Sequence, residues 1–337
     1  MEQRLTALWY RESGGFSLLA PLGWLYGWVI ALRRAAYATG FCKTHRAGKP
    51  VIVVGNLTVG GTGKTPLVAW LAQQLALQGL RVGIVSRGYG RSGSAPSPVH
   101  AASAWREVGD EPLLLKSLTG CDVVVARDRV AGAQKLVALG VDIVIADDGL
   151  QHLRLARELE IVVIDGARGF GNGRLLPAGP LREPAARVSE AGIVVVNGTP
   201  EHASLRGLSA GLRMSLFGGE AHRVDGRAAP QPLEQFRGRR VHAVAGIGHP
   251  QRFFLDLRAR GLELVEHPFP DHHPFTVADL TFGDELPVLM TQKDAVRCRE
   301  IEDARLWFVP VAARFGDSQA RELLDRVAQA LAPARPS

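Results

Sequence analysis

Residues 55–66 of this chain read GNLTVGGTGKTP, and the apolar run 51–54 leads into them without a break. A strand that delivers a glycine-rich loop to the start of a helix leaves few architectures open, because all three must share one α/β layer. Gly60, Gly61 and Gly63 let backbone N–H groups converge on phosphate oxygens. A helix beginning near Thr65 adds the positive end of its dipole. Lys64 can reach the β and γ phosphates of a nucleotide, and the Thr65 hydroxyl can ligate Mg2+. The stretch Thr58, Val59, Gly60, Gly61, Thr62, Gly63, Lys64, Thr65 is therefore the expected ATP-binding loop, and Thr58 makes it a variant, since the common pattern has glycine there.

The variant narrows the field. An ATPase of the partition or nitrogenase-iron type carries a second lysine just before the glycine pair, where this chain has Val59. A guanine-specific protein carries Asn-Lys-X-Asp, and the nearest candidate, Thr291-Gln292-Lys293-Asp294, lacks the asparagine. That segment is either a base-binding loop or a helix start capped by Thr291.

Beyond the loop, short runs rich in Val, Ile and Ala recur at 82–85, 123–126, 143–146, 161–164, 193–196, 241–245, 287–290 and 308–311. Most are continuous rather than alternating, as in strands covered on both faces, and helical stretches such as 66–78 and 130–139 fall between them. These are βαβ units of a parallel sheet. With 337 residues, more than one ordinary domain is expected. The predicted fold is α/β: a P-loop NTPase-type parallel-sheet lobe, a second α/β lobe and an N-terminal apolar membrane-associating helix. The expected boundaries are 1–35 for the helix, 36–157 for the nucleotide lobe and 158–337 for the lobe that completes the cleft. Residues 91–98 and 198–211 read as loops, and no internal repeat is evident.

The segment VDIVIADDGLQH at 141–152 is a buried-strand pattern ending in Asp147-Asp148. Carboxylates there can hold Mg2+ beside Thr65 and the γ-phosphate, or they can cap a helix. Residues 18–32 (LLAPLGWLYGWVIAL) carry no charge, and Arg33-Arg34 follow at once. The run is shorter than the roughly 20 residues of a spanning helix. Trp24, Tyr26 and Trp28 suit a headgroup interface, and Arg4, Arg11, Arg33, Arg34, Lys43 and Arg46 could face anionic lipid. A monotopic anchor is expected; the alternative is a helix packed on the protein's own core. A net charge of +7 fits an anionic partner without choosing one. Cys42, Cys121 and Cys298 match neither a disulfide framework nor a zinc site, which points to a reducing compartment.

Seven motifs in one order, GNLTVGGTGKTP, SRGYGR, VGDEP, DDGLQH, LLPAGPLRE, FPDHHPF and TQKDAVR, resemble the tetraacyldisaccharide 4′-kinases, the lipid A 4′-kinases of Gram-negative bacteria. The resemblance spans about residues 10–310. It implies a kinase on the cytoplasmic face of the inner membrane. Such a kinase moves the γ-phosphoryl of ATP to the 4′-hydroxyl of an acylated glucosamine disaccharide 1-phosphate, giving lipid IVA. Position by position, it implies phosphate and metal roles for Lys64 and Thr65, and Mg2+-side roles for Asp147, Asp148 and Glu183. Asp110 becomes the base with His272 as its partner, and Arg87, Tyr89, Arg129, His152 and Arg182 become walls of the site. Leu150 and Gln292 depart from the family's usual Phe and Glu, and neither exchange removes a needed chemical group.

Read on their own, the residues agree in part. Phosphoryl transfer asks a protein for positioning, charge neutralisation and a group to take the hydroxyl proton. Arg87, Arg129 and Arg182 could bind phosphate bidentately or be ordinary surface arginines. Asp110 in VGDEP could equally cap a helix over 111–118, and His272 and His273 in FPDHHPF could be ligands or surface residues. A nucleotide switch or metallochaperone GTPase shares the loop but lacks its guanine motif and Cys/His cluster here. A soluble small-molecule kinase leaves the Trp-rich segment unexplained. Nucleic acid is not an expected partner, because the basic residues are dispersed, and no obligate protein partner is evident.

Overall fold

The structure, a computed structural model, describes residues 9–10, 18–89, 91, 93–208 and 211–332. Arg4 and Arg11, expected to face lipid, lie outside the described residues.

Helix α1 (Ala20–Ala38) has a proline in its first turn, where no intrahelical N–H is called for, and Gly23 is its buried residue. A Cβ on Gly23 would come within 3.2 Å of the Leu175 carbonyl and of Ala178, so the helix lies close against that segment. Strand β1 (Val51–Gly55), the glycine loop and α2 (Lys64–Leu77) follow as expected, and then β2 (Val82–Ser86) and the short β3 (Ser97–Pro98). Next come α3 (Trp105–Val108), α4 (Asp110–Thr119), β4 (Asp122–Val125), α5 (Arg129–Ala138) and β5 (Ile143–Asp147). Strands β6 (Leu159–Asp165), β7 (Ile193–Asn197) and β8 (Gly211–Phe217) lead on to β9 (Glu220–Arg223) and β10 (Gln231–Pro232). The chain then forms β11 (Arg240–Ala245), α6 (Pro250–Ala259), β12 (Glu263–Pro268), β13 (Val288–Thr291) and α7 (Gln292–Arg297). It ends with β14 (Leu306–Val309), β15 (Ala312–Arg314) and α8 (Asp317–Leu331).

Two sheets result. The first runs β15-β8-β7-β6-β1-β5-β2-β4-β3 and is parallel from β8 to β4. The second runs β10-β9-β14-β13-β11-β12. Strand β1 explains the continuous apolar pattern: Ile52 and Val54 enter one core while Val51 and Val53 enter the core on the opposite face. In the second sheet Leu289 and Val288 divide between two cores in the same way.

The expected lobe boundary at 157/158 is corrected. Strand β6 pairs in parallel with β1, with Val54 opposite Ile161, and β7 and β8 continue the same sheet through Phe217. The second sheet starts at Glu220, and β15 and α8 return to the first, where Leu323 and Val327 join its core. A strand buried on both faces looks alike in either sheet, so nothing in 155–160 signals which one it enters. Among the described residues no helix is long and apolar enough to cross a membrane.

Candidate active site

Strand β1 stands between β5 and β6, so the connections diverge at its carboxyl end. That divergence is where open α/β sheets form a ligand crevice. The glycine loop fills it. Gly60 (φ +101°) and Gly63 (φ +93°) adopt the left-handed conformation, and a Cβ on Gly63 would lie 2.5 Å from Asn197 Nδ2. Lys64 Nζ donates to Asn56 Oδ1 at 2.9 Å and stands 3.5 Å from Asp148 Oδ1, tying the two ends of the loop together. The Thr62 hydroxyl is buried without a partner. The first half of the loop runs along the LLPAGPLRE segment: Val59 N–H donates to Pro180 O at 2.8 Å, and Arg182 N–H to Leu57 O at 2.6 Å. That pairing delivers the Arg182 side chain, whose Nη1 holds both oxygens of Asp148 at 3.1 and 3.0 Å.

Register sets the carboxylates. Asp147 ends β5 opposite Val54, one residue before the loop opens. It accepts from Ser86 Oγ at 3.0 Å. Burial, with the Glu111 and Asp148 carboxylates nearby, pushes it well above the usual carboxylate range. Burial also opposes the charge on Asp148, but Lys64 and Arg182 outweigh it and hold that carboxyl at about 2. Asp148 has φ +49°, a strained conformation in which a functional side chain is commonly held. Glu183 does not join these two. It is buried against Gln151 Nε2 at 2.8 Å, Arg187 Nε at 3.6 Å and Arg34 Nη1 at 3.9 Å. Among the described residues no group of three or more His, Cys, Asp or Glu side chains could hold a metal ion by itself.

The second lobe supplies the other half. His272 Nδ1 is 2.9 Å from Asp110 Oδ2, across 162 residues of sequence. Asp110 is not the helix cap: Gly109 holds that position without a side-chain bond, and Asp110 opens α4, its Oδ1 accepting the Glu111 N–H at 2.8 Å while its other oxygen meets the histidine. Burial works against its ionisation, yet the His272 hydrogen bond and the Lys293 and Arg297 charges hold it at about 2. For His272, burial is outweighed by the bond to Asp110, so its pKa lies above the ordinary value. Tyr89 covers the imidazole, with ring centroids 5.1 Å apart. His272 also has φ +60°. His273 instead packs against Phe269 and Phe275.

Other expected wall residues do different work. Arg129 is buried and donates to the carbonyls of Ala126 at 2.5 Å and Asp147 at 3.3 Å, so it braces strand ends instead of presenting its fork to a phosphate. His152 Nε2 accepts the Arg129 N–H at 3.2 Å, and burial beside Arg129 lowers its pKa to about 4, leaving it neutral. Arg87 is exposed at the end of β2. In TQKDAVR, Thr291 is a helix cap that accepts the Asp294 N–H, as one of the two sequence readings held. Lys293 Nζ reaches Glu111 Oε1 at 3.0 Å, Asp271 Oδ1 at 3.4 Å and His272 Nε2 at 3.4 Å. Asn56, Ser86, Gln151, Glu111 and Lys293 were not singled out from sequence. All five lie inside quoted motifs, but their partners are set by tertiary pairing.

Residues 16–329 match the family described as Tetraacyldisaccharide-1-P 4'-kinase. Tetraacyldisaccharide 4'-kinase of Alkalilimnicola ehrlichii is 52% identical over 318 residues, 92% of each chain. The protein of the same name from Xanthomonas euvesicatoria is 50% identical over 92% of this chain and 91% of its own. The crystal structure of LpxK from Aquifex aeolicus in complex with ATP is 30% identical, covers 93% of this chain and 98% of that one, and superposes with a TM-score of 0.76. The chain belongs to the tetraacyldisaccharide-1-P 4′-kinase family.

Proposed function

We propose that this kinase transfers the γ-phosphoryl of ATP to the 4′-hydroxyl of tetraacyldisaccharide 1-phosphate, giving lipid IVA. The observation that carries the reading is the meeting of the Asp110–His272 pair with the phosphate loop. Gly248 of the second lobe lies against both, since a Cβ there would stand 3.5 Å from Gly61 N of the loop and 3.4 Å from Asp271 Oδ2, next to His272.

The residues fit Mg2+. Thr65, Asp147 and Asp148 offer oxygen donors only, and Asp147 is a buried carboxyl crowded by two other carboxylates, an environment that a divalent cation would relieve. Bound by these three and by phosphate oxygens, the ion would neutralise charge on the β and γ phosphates. Glu183 serves one step removed, by holding Gln151 beside Arg182. Lys64 supplies a fixed positive charge to the γ-phosphate, and the loop's N–H groups hold the chain of phosphates in line. Asp110 accepts the proton of the attacking sugar hydroxyl, which is too weakly acidic to ionise alone, and His272 fixes the orientation of that carboxylate. The Tyr89 ring limits the freedom of the imidazole.

The lipid nature of the acceptor is supported by α1. Leu18, Leu22, Trp24, Leu25, Trp28, Val29 and Leu32 are exposed. Its other side is tied to the site, since Tyr26 Oη donates to Arg182 O at 3.1 Å and Arg33 Nη2 to Gln151 O at 3.0 Å. A helix that rests its apolar side on a bilayer would hold acyl chains next to the reacting end of the sugar. On this reading the enzyme works peripherally on the cytoplasmic face of the inner membrane, where ATP is available. Incubation with Mg-ATP and the acylated glucosamine disaccharide 1-phosphate should add one phosphate, read by mass. Absence of that product, or equal turnover of an unrelated alcohol, would overturn the assignment.

A further inference from the structure

We infer that Arg252 and Asn197 form a latch through which the second lobe sets the shape of the phosphate loop. Both act as positioning residues for ATP, and the inference rests on that loop being the ATP site. Asn197, the last residue of β7, is buried, and both ends of its carboxamide are used. Its Nδ2 donates to Thr62 O at 3.0 Å, and its Oδ1 accepts from Arg252 Nη2 at 3.2 Å. Arg252 lies on α6 in the second lobe, and its Nη1 donates to Asp165 Oδ2 at 3.1 Å. Asp165 ends β6 directly opposite Asn197. The guanidinium thus spans two neighbouring strand ends, which a planar fork can do and a single ammonium cannot. Asp165 is itself held by the N–H groups of Ala167 at 3.0 Å and Arg168 at 3.1 Å.

The Thr62 carbonyl matters because of peptide planarity. In a trans peptide the C=O of Thr62 and the N–H of Gly63 point in opposite directions. A phosphate oxygen is attracted by the N–H and repelled by the carbonyl oxygen, so the loop works only when its carbonyls are held outward. By capturing the Thr62 carbonyl, Asn197 aims the Gly63 N–H the other way. Close approach is built in, since any side chain at Gly63 would strike the Asn197 amide. The chain Arg252–Asn197–Thr62 is complete only while α6 stands over the ends of β6 and β7. ATP binding and that placement of the second lobe must then favour one another.

Three variants of the full-length protein test the latch, read by steady-state kinetics and by direct Mg-ATP binding. Arg252→Met should raise KM for ATP, and weaken ATP binding, about tenfold, as expected for loss of a charge-assisted hydrogen bond. The kcat and the KM for the lipid acceptor should stay within about twofold, since the lost contact acts equally on ground and transition states. Arg252→Lys should recover part of the affinity. Asn197→Asp keeps an acceptor for Arg252 but has no donor for Thr62 O, so it should lose ATP affinity, with the loss carried by KM for ATP and not by kcat. Combined with Arg252→Met, its loss should fall short of the product of the two. ATP affinity within about twofold of the parent in Arg252→Met would overturn the latch. So would a loss of kcat and Tm with no change in KM. Normal transfer by Lys64→Ala would instead overturn the assignment of the loop to ATP.

Discussion

Asp110 gives each carboxylate oxygen a separate task, one in its own helix and one across the cleft to His272. Its substitution therefore carries two signatures. Asp110→Ala should lower kcat by about 10²–10⁴ with little change in the KM for ATP, because proton acceptance belongs to the transition state. His272→Ala should cost less, and the double variant should be clearly less than additive; independent, multiplying losses would leave Asp110 as a helix residue only. The pair also marks stability. Asp110 is depressed from 3.8 to about 2, so its contribution is present above 3.8 and lost as pH falls through 2. His272 is raised above 6.5, so its contribution is full below 6.5 and lost as pH rises through the elevated value. The stability gap between the parent and His272→Ala should then peak between about pH 4 and 6.5 and shrink on both sides. A gap that is flat with pH would count against the pair. Residue types were legible in the sequence motifs, while the pairing of Asp110 with His272 came through the family resemblance alone, because no local spacing links positions 162 apart. The three arginine expectations divided for the same reason, with Arg87 left exposed at the end of β2. Arg182 meets Asp148, while Arg129 is spent on backbone carbonyls.

At the scale of elements, strand–loop–helix was readable because its signals are local: a buried run, glycines with positive φ, and Lys-Thr opening α2. Strands β8 and β12 were not singled out, since β8 alternates buried Leu212 and Met214 with exposed Arg213 and Ser215, and β12 is a half-buried edge. Helix α1 was readable as an apolar run, and its orientation follows from two glycines. Gly23 and Gly27 face Leu175, which leaves Trp24, Leu25 and Trp28 outward. Burying such side chains in a bilayer at about 25 cal/mol per Å2 amounts to several kcal/mol. Trp24→Glu with Trp28→Glu should therefore release the protein from anionic vesicles in a sedimentation assay. Turnover of a detergent-dispersed acceptor should persist, because neither tryptophan touches the catalytic groups. Unchanged sedimentation would reject α1 as the docking element.

Across the whole molecule, the reacting parts are divided between two sheets; the sequence disclosed two lobes sharing a cleft but not where one ends. The boundary expected at 157/158 falls inside the first sheet, because β6 enters beside β1 and the chain later returns through β15 and α8. Phosphate loop, Asp147, Asp148 and Asp110 belong to the first sheet's lobe; His272, Lys293 and Arg252 come from the second. Turnover thus depends on the lobes meeting in one register. Besides the Asp110–His272 bond, Lys293 makes that meeting, through Glu111 on α4. It is largely buried, and the Glu111, Asp110 and Asp271 carboxylates outweigh the desolvation that opposes its charge. Removing one member of such a pair leaves the other uncompensated. Lys293→Met should accordingly lower kcat about tenfold or more, as His272 loses its neighbour and the lobes lose a tie. Glu111→Gln removes the same tie from the opposite side, and Lys293→Met with Glu111→Gln should be no worse than the poorer single variant. Raising ionic strength should weaken the tie only in part, since Lys293 is largely buried while Glu111 is open to solvent. If the two losses simply multiply, Lys293 and Glu111 act at separate points, and the lobes are held together by other contacts, among them Asp110 with His272 and Arg252 with Asp165 and Asn197.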